Sequence, residues 1–284
     1  MSKQCGKLYV VATPIGNLAD FSYRAVDVLK QVDWIAAEDT RHVRMLLQHY
    51  GISNRVISLH QHNEEAVSVE LLDKLRQGQS IALVSDAGTP LLSDPGMPLV
   101  RIAREAGIEV SPIPGACALI AALSVAGLPV SRFIFEGFLP RTSSARKTFF
   151  KERLHCESTW VFYESSHRIL DTLQDMADIF PGNRCLVVAR EMTKLHETIV
   201  KSRLEDIVSR VESDENMRKG EFVVIVDGAV IDKNNQELSD EQLSVLKILL
   251  KACSTKTAAA LAAEITGARK KALYQAALAM NPEE

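Results

Sequence analysis

The residues best suited to chemistry follow a short apolar run, Trp34–Ala37. Glu38, Asp39 and Arg41 form a polar cluster there, with two carboxylates beside a cation. A positioned carboxylate can accept the proton of a hydroxyl group, which is a poor nucleophile until that proton has a destination. Helix capping by Asp39 with surface ion pairs is an equally good interpretation of each residue taken alone. The sequence therefore predicts a catalytic cluster, with capping as the alternative.

A second candidate is the loop Ser85–Gly96, which follows the buried run Ile81–Val84. Two prolines and two glycines make this loop stiff, and a stiff loop after a strand is typical of ligand binding at the carboxyl edge of an α/β sheet. Asp94 and Pro95 are predicted to be the N-cap and first residue of a helix that reaches Ala106. An ordinary connection between a strand and a helix is the alternative.

The glycine pattern limits the choice of cofactor. No two glycines are spaced as G-x-G, and no G-x-x-x-x-G-K-[ST] motif is present, so a cofactor rich in phosphate is not expected. The loops Thr13–Gly16 and Ile113–Ala116 again combine proline with glycine. Such loops suit a polar ligand without phosphate, of which S-adenosylmethionine is an example. No metal is expected, because His60 and His62 are better interpreted as capping or surface residues.

Length and composition indicate a globular chain large enough for two cores and an appendage. It has 284 residues, of which 46% are hydrophobic and 24% charged, and a net charge of −3. Any nucleic-acid surface must therefore be local. The five cysteines are scattered without a C-x-x-C pair, which favours neither disulfides nor zinc and fits a reducing cytoplasm.

No segment has the features expected of a membrane or export signal. The first residues, Met1–Cys5, lack an apolar core, and the most apolar segment, Ala116–Val130, is shorter than the roughly 20 residues that span a bilayer. We expect a core helix at this segment, a cytoplasmic location and no membrane partner.

The elements that must position these residues alternate between strand and helix patterns from Leu8 to about Val226. This alternation predicts an α/β fold with mostly parallel sheets and helices on both faces. We expect one α/β domain over residues 1–127 and a second over 128–231. After a polar linker, residues 239–284 form a helical tail that divides at Ser254-Thr255 and at Thr266-Gly267.

Several motifs, in a fixed order over nearly the whole chain, resemble the tetrapyrrole methylase superfamily, and within it the ribose-2′-O-methyltransferases of small-subunit ribosomal RNA. They are Leu8–Asp20, Ala37–His42, Ala82–Gly96, Pro112–Ala116, Phe135–Pro140, Phe162–Arg168, Ala189–Glu197 and Lys219–Phe222. The resemblance implies two α/β domains that hold S-adenosylmethionine in a cleft, and a homodimer. It also implies methylation of the 2′-hydroxyl of a cytidine in the decoding region, on free RNA or on the assembled small subunit.

The resemblance also implies the cofactor-binding residues. They are Pro14, Ala87, Gly88, Thr89, Leu92, Cys117, Ala118, Glu164 and Gly220. The chain departs from tetrapyrrole-acting members at one place, because Gly88-Thr89-Pro90 stands where those members carry a G-D-P-type centre.

An RNA substrate requires cationic contacts that the net charge hides. Two basic patches are predicted to bind RNA, and solvated helix surfaces are the alternative for both. The patch at the start of the second domain contains Arg141, Arg146 and Lys147, and the patch in the tail contains Arg269, Lys270 and Lys271. The tail pattern around Lys256–Ala263 and Thr266-Gly267 also resembles a helix-turn-helix.

Two other functions remain open from the sequence. One is a methylase of the same fold that acts on a tetrapyrrole or on a modified protein histidine. The other is a helix-turn-helix DNA-binding regulator whose α/β part senses a metabolite. The basic tail counts against the first, and the single tail, with no second duplex-binding element, counts against the second.

Overall fold

The structure is a computed structural model that describes residues 5–229, 238 and 240–280. The chain divides into two compact units, residues 1–229 and residues 230–284. The first four residues and all but Leu238 of the predicted linker lie outside the described residues. Each unit has its own buried core and is described by itself.

The first sheet has five parallel strands. They are β1 (Leu8–Val11), β2 (Trp34–Ala37), β3 (Val56–Ser58), β4 (Ile81–Val84) and β5 (Val110–Ile113), in the order β3-β2-β4-β1-β5. All four residues of β4 are buried, as expected of a central strand that helices cover on both faces. The parallel arrangement brings the loops that follow β1, β2, β4 and β5 to one edge of the sheet.

Helices connect these strands, and the helix after β4 corrects one expectation. The helices are α1 (Tyr23–Gln31), α2 (Thr40–His49), α3 (Glu64–Arg76), α4 (Met97–Glu105) and α5 (Ala118–Val125). The N-cap of α4 is Gly96, with φ of 114°, so Asp94 is not the cap and Pro95 is not the first helical residue. The Gly96 N–H donates to Glu64 Oε2 at 2.8 Å, so a side chain of α3 fixes the residue at which α4 starts.

The second sheet also has five strands, but it is not mostly parallel as expected. Its strands are β6 (Phe133–Phe138), β7 (Thr159–Ser165), β8 (Cys185–Arg190), β9 (Thr198–Arg203) and β10 (Glu221–Val226), in the order β6-β7-β10-β8-β9. Only β6 and β7 pair in parallel, and the other pairs are antiparallel. The connection Glu191–Glu197 is too short for the crossover that a parallel β8–β9 pair would need, so β9 returns as a hairpin.

Two layers of apolar side chains cover the two faces of the second sheet. One layer comes from α6 (Ser143–Arg153), α7 (Ile169–Ala177) and α8 (Leu204–Ser213) and surrounds Trp160 and Phe162. The other face packs against α5, whose Leu119 and Leu123 contact the inner face of the sheet at Val161, Val187 and Val223. Helix α5 follows β5 of the first sheet, so this packing holds the two sheets in one unit.

The tail forms the three helices predicted from the sequence. They are α9 (Asp240–Leu250), α10 (Thr255–Thr266) and α11 (Lys270–Met280), packed around a small core that includes Leu246, Ala259 and Leu273. Ser254 caps α10 by accepting from the Thr257 N–H, and Gly267 ends it with φ of 70°. No helix within residues 5–229 and 240–280 has the length and apolar character needed to cross a bilayer.

Candidate functional site

A cavity of about 350 Å³ lies between the two sheets, at the carboxyl edge of the first. Most residues of the predicted cofactor site line it, and its far wall comes from Phe138 and Tyr163 of the second sheet and from Met192 in the connection after β8. The predicted residues in the lining are Ala87, Gly88, Thr89, Leu92, Cys117, Ala118 and Glu164. The chain therefore brings together residues that lie far apart in sequence, as a ligand cleft requires.

The loop after β4 is held rigidly on the floor of this cavity. Gly88 has φ of +84°, and its backbone exchanges hydrogen bonds with Thr13 of the loop after β1, at 2.8 and 3.1 Å. Thr89 Oγ1 donates to the Ala116 carbonyl at 3.1 Å, which connects the loop after β5. Leu91 and Ser93 also have positive φ, near 75°, a costly conformation for residues with a side chain that is concentrated at functional sites.

Two predicted cofactor residues do not line this cavity. Pro14 lies in the wall of a second cavity, between the loop after β1 and helix α2. Gly220 lies next to Glu221, which is in the lining, and a Cβ atom at Gly220 would be 2.4 Å from Glu191 Cγ. Gly220 therefore allows the connection after β8 to pack closely against the start of β10.

Glu164 is a buried carboxylate whose oxygens are occupied within the second sheet and its helices. It is 2% exposed, accepts from Thr172 Oγ1 at 2.8 Å and from the Ser165 N–H at 2.8 Å, and pairs with Arg168 at 3.2 Å. Paired in this way, Glu164 can position the cavity wall without leaving an uncompensated buried charge.

Three carboxylates gather beside the cofactor cavity: Glu38 after β2, and Asp86 and Asp94 after β4. Burial, and then the charges of Glu38 and Asp86, raise the pKa of Asp94 to about 6. Burial, and then the charge of Asp86, also raise the pKa of Glu38. Asp86 and Asp94 are not among the predicted catalytic residues. The sequence pattern that indicated them was two carboxylates in one rigid loop after a buried strand. Because Asp94 was expected to cap a helix, its carboxylate was not interpreted as part of a site.

The other members of the predicted catalytic cluster are arranged as a helix cap. Asp39 is the N-cap of α2, where its Oδ1 accepts from the Arg41 N–H at 2.8 Å and its Oδ2 pairs with the Arg41 guanidinium at 2.8 Å. These hydrogen bonds from Arg41 hold the pKa of Asp39 well below its ordinary value. The Arg41 side chain is 88% exposed. Asp39 still reaches the carboxylates, because its N–H donates to Asp86 Oδ1 at 3.0 Å.

The basic patch at the start of the second domain requires a correction. Arg146 is 4% exposed, and its guanidinium contacts Asp175 at 2.6 and 2.8 Å, so it is not available to RNA. Lys147 pairs with Asp178 at 2.7 Å, and Arg141 is exposed. Arg146 lies on the inner face of α6, where it joins that helix to α7.

The tail patch is on the surface. Arg269, Lys270 and Lys271 are exposed at the beginning of α11. Cations at the N-terminus of a helix oppose its dipole, so these residues do not stabilise α11 by this effect. Among the described residues, no group of three or more His, Cys, Asp or Glu side chains could hold a metal ion.

Comparison with known proteins identifies the family. Residues 7–208 match the model of the Tetrapyrrole (Corrin/Porphyrin) Methylases, and residues 236–281 match an RsmI C-terminal HTH domain. The chain is 52% identical to "Ribosomal RNA small subunit methyltransferase I" of Escherichia coli O157:H7, over 96% of this chain and 95% of that protein. The chain therefore belongs to the tetrapyrrole methylases and, within them, to the family of ribosomal RNA small subunit methyltransferase I.

Solved structures support the fold. The chain is similar to the methyltransferase CobJ, with a TM-score of 0.58 and 19% identity over 79% of this chain and 95% of that chain. It is also similar to the uroporphyrin-III C-methyltransferase of Thermus thermophilus complexed with S-adenyl homocysteine, with a TM-score of 0.51 and 17% identity over 78% and 97%.

The predicted α/β class, the helical tail and the enzyme class of methyltransferase are confirmed by this membership. The predicted cofactor, S-adenosylmethionine, is confirmed by this membership in a methyltransferase family, and the solved uroporphyrin-III C-methyltransferase holds S-adenyl homocysteine.

Proposed function

We propose that this protein transfers a methyl group from S-adenosylmethionine to the 2′-hydroxyl of a cytidine ribose in the decoding region of small-subunit ribosomal RNA. The observation that carries the choice of a hydroxyl acceptor is the carboxylate cluster beside the cofactor cavity. A hydroxyl group needs a proton acceptor, and Glu38, Asp86 and Asp94 provide three carboxylates on one edge of the sheet.

The cofactor is assigned to the cavity of about 350 Å³ between the sheets. Its rigid loops present backbone groups and apolar side chains, which suit an adenosine and a methionine chain without phosphates. The sulfonium of the cofactor carries a positive charge, and Asp94 and Asp86 in the lining provide the compensating negative charge. Thr89, at the centre of the loop, already donates its hydroxyl to Ala116, so Thr89 positions the loop in this assignment.

The transfer is an in-line displacement. The bond between methyl carbon and sulfur breaks as the bond between methyl carbon and ribose oxygen forms, and the hydroxyl proton passes to a carboxylate. Alignment of the three reacting atoms supplies much of the rate, since proximity alone can contribute roughly 7–11 kcal/mol. The two sheets, locked together through α5, provide the fixed geometry that alignment requires.

The RNA is held mainly by the helical tail. Arg269, Lys270 and Lys271 are exposed together, and their position at a helix N-terminus lets backbone N–H groups join them in contacting phosphate. Arg141 and Lys147 provide a secondary contact. We also propose that residues 1–127, 128–231 and 239–284 act as three functional segments. We place the reaction in the cytoplasm, together with the ribosome.

We extend the proposal to a homodimer. Apolar side chains on and beside α5 remain exposed, among them Ile120 at 54% and Val125 at 52%, and Phe133 begins the edge strand β6 at 39%. Exposed apolar residues in the same part of a molecule are typical of an interface. Sedimentation should show a dimer for the wild type and a monomer for Ile120→Glu. A wild-type monomer at micromolar concentration would contradict the extension.

The decisive test maps the methyl group at nucleotide resolution. Free small-subunit ribosomal RNA and whole small subunits, both lacking the modification, are each incubated with the protein and S-adenosylmethionine. We expect a single methylated ribose, on a cytidine of the decoding region. A methyl group on a base, or no transfer to either substrate, would contradict the proposal. Filter binding of this RNA against duplex DNA tests the alternative of a DNA-binding regulator, which predicts preference for the duplex.

A further inference from the structure

A second cavity, of about 280 Å³, lies beside the cofactor cavity and shares one residue with it, Asp86. One wall is the loop after β1, with Thr13 and Pro14, and the opposite wall is helix α2. Two adjacent cavities that meet at one carboxylate are the arrangement expected where a donor and an acceptor must react.

The wall formed by α2 is apolar although it faces solvent. Met45 is 63% exposed and Leu18, on the opposite side, is 39% exposed, while Leu46 and Val43 lie deeper. An exposed methionine does little for the core of its own domain. Its polarisable thioether makes favourable contacts with aromatic rings. His42, which is also exposed, provides a polar group in the same lining.

Asp86 has one oxygen held in place and one available. Its Oδ1 accepts from the Asp39 N–H at 3.0 Å, which fixes the orientation of the carboxylate. Among residues 5–229 and 240–280, no donor contacts Oδ2. A hydroxyl group of a ligand in the second cavity could therefore donate to Oδ2 without displacing any protein contact.

We propose that the second cavity binds the target pyrimidine nucleoside, taken out of the RNA stack, with its base against Met45 and its 2′-hydroxyl at Asp86. This inference rests on the proposed function and adds where the acceptor binds and which carboxylate receives the proton. The volume of about 280 Å³ lies just below the usual range for ligand sites, which suits one nucleoside rather than a longer segment. Enzymes that do chemistry on a base extrude its nucleotide into such a pocket, and this inference extends that arrangement to a reaction at the ribose.

The reaction balances at the junction of the cavities. The 2′-oxygen takes the methyl group from the sulfonium in the first cavity and releases its proton to Asp86 Oδ2. The products are the 2′-methoxy ribose, neutral S-adenosylhomocysteine and a protonated carboxyl group, which then loses its proton to water. Asp39 is a positioning residue here, because it contacts Asp86 through its backbone N–H.

The test compares two variants that add the same charge to the same helix. Met45→Glu changes the wall of the second cavity, whereas Gln48→Glu adds a carboxylate at an exposed position of α2 outside the lining. We expect Met45→Glu to raise KM for RNA by tenfold or more with an unchanged Kd for S-adenosylmethionine, and Gln48→Glu to behave like the wild type. Equal KM and kcat for the two variants would overturn the inference.

A direct measurement uses the methyl resonance of Met45 in protein labelled at its methionine methyl groups, with S-adenosylhomocysteine bound. A decoding-region RNA fragment is added until filter binding shows saturation. We expect the Met45 resonance to shift with RNA that contains the target cytidine and to shift less when that nucleotide is abasic. An unchanged resonance at saturation would overturn the inference. Mapping of the methyl group by the wild type tests the proposed function independently of both experiments.

Discussion

At the scale of single residues, Asp94 shows how function limits stability. Its pKa is raised to about 6 by burial and by the neighbouring charges of Glu38 and Asp86. The apo protein therefore holds three carboxylates together, and His60 beside Glu38 offsets only part of their repulsion. A cofactor with a positive sulfonium relieves this repulsion, so the cost to the apo protein becomes a source of affinity.

The first prediction concerns the stability of the apo protein. Because the folded-state pKa of Asp94 lies above the ordinary value of about 3.9, the penalty for ionising it is small at pH 4, grows between about pH 4 and pH 6, and is nearly constant above that. We expect Asp94→Asn to raise the free energy of unfolding at pH 7.5 by about 1 kcal/mol, allowing for partial screening by solvent. Urea unfolding at pH 4 and pH 7.5 measures this. A gain of equal size at both pH values would mean that ionisation is not the cause.

The second prediction concerns the charge of the cofactor. S-adenosylmethionine is a cation and should bind better to ionised Asp94, so its Kd should rise as the pH falls below about 6. S-adenosylhomocysteine lacks the sulfonium charge and should show a flatter profile. Calorimetry of both ligands between pH 5 and pH 8 tests this, with Asp94→Asn as the variant that should flatten the profile of S-adenosylmethionine. Identical profiles for the two ligands would place the sulfonium away from Asp94.

The third prediction tests the loop that forms the floor of the cofactor cavity. Gly88 has φ of +84°, and a Cβ atom there would be 3.3 Å from Ile15 in the cavity lining. We expect Gly88→Val to abolish detectable binding of S-adenosylmethionine by calorimetry while the protein remains folded by circular dichroism. The control is Gly107→Val, which has similar backbone strain at φ of +70° but no atom within 4 Å. Binding in Gly88→Val as tight as in this control would exclude the loop from the site.

At the scale of elements, the apolar runs Trp34–Ala37 and Ile81–Val84 predicted strands β2 and β4, and turn residues predicted the breaks in the tail. The direction in which the strands of the second sheet pair could not be predicted from the sequence, because side chains alternate in the same way in parallel and antiparallel strands. Strand β9 was missed although its residues alternate between half-buried and exposed, since its polar residues concealed the pattern. The meeting of Asp86, Asp94 and Glu38 depends on the order of β2 and β4 in the sheet, which no local pattern contains.

Arg146 was predicted to bind RNA because it is one of several nearby cations, but its spacing along the helix indicated that it would be buried. It precedes the buried Phe150 by four residues and therefore lies on the same face of α6.

The fourth prediction is that Arg146→Ala destabilises the protein by about 3–5 kcal/mol, because it leaves Asp175 without its main partner in a buried site. The exposed neighbour Arg141→Ala should change stability by less than about 0.5 kcal/mol. Thermal unfolding of both variants tests this, and a stable Arg146→Ala with weakened RNA binding would return the residue to the RNA surface.

At the scale of the whole molecule, the chain combines two units with separate cores. The α/β unit contains both cavities and every residue assigned to cofactor binding and proton transfer. The tail has its own core around Leu246, Ala259 and Leu273 and presents its basic residues on the surface. A chain built in this way can separate recognition of RNA from methyl transfer, and the two activities should then respond to different changes.

The fifth prediction follows from this separation. Removal of residues 230–284 should leave the Kd for S-adenosylmethionine unchanged and weaken RNA binding by at least tenfold, with a smaller dependence on salt because fewer phosphates are neutralised. Reversal of Arg269, Lys270 and Lys271 to Glu in the full chain should lower the salt slope by roughly 2, since each phosphate contact to single-stranded RNA contributes about 0.7.

A matched control separates phosphate contacts from a change in net charge. Arg24, Lys30 and Arg104 are exposed on α1 and α4 of the α/β unit, and their reversal to Glu changes the net charge by the same amount. We expect this control to keep the wild-type salt slope and to lose at most a small part of the RNA affinity. If the control and the tail variant lose affinity and slope equally, RNA responds to the net charge of the protein, and the tail does not form a specific contact surface.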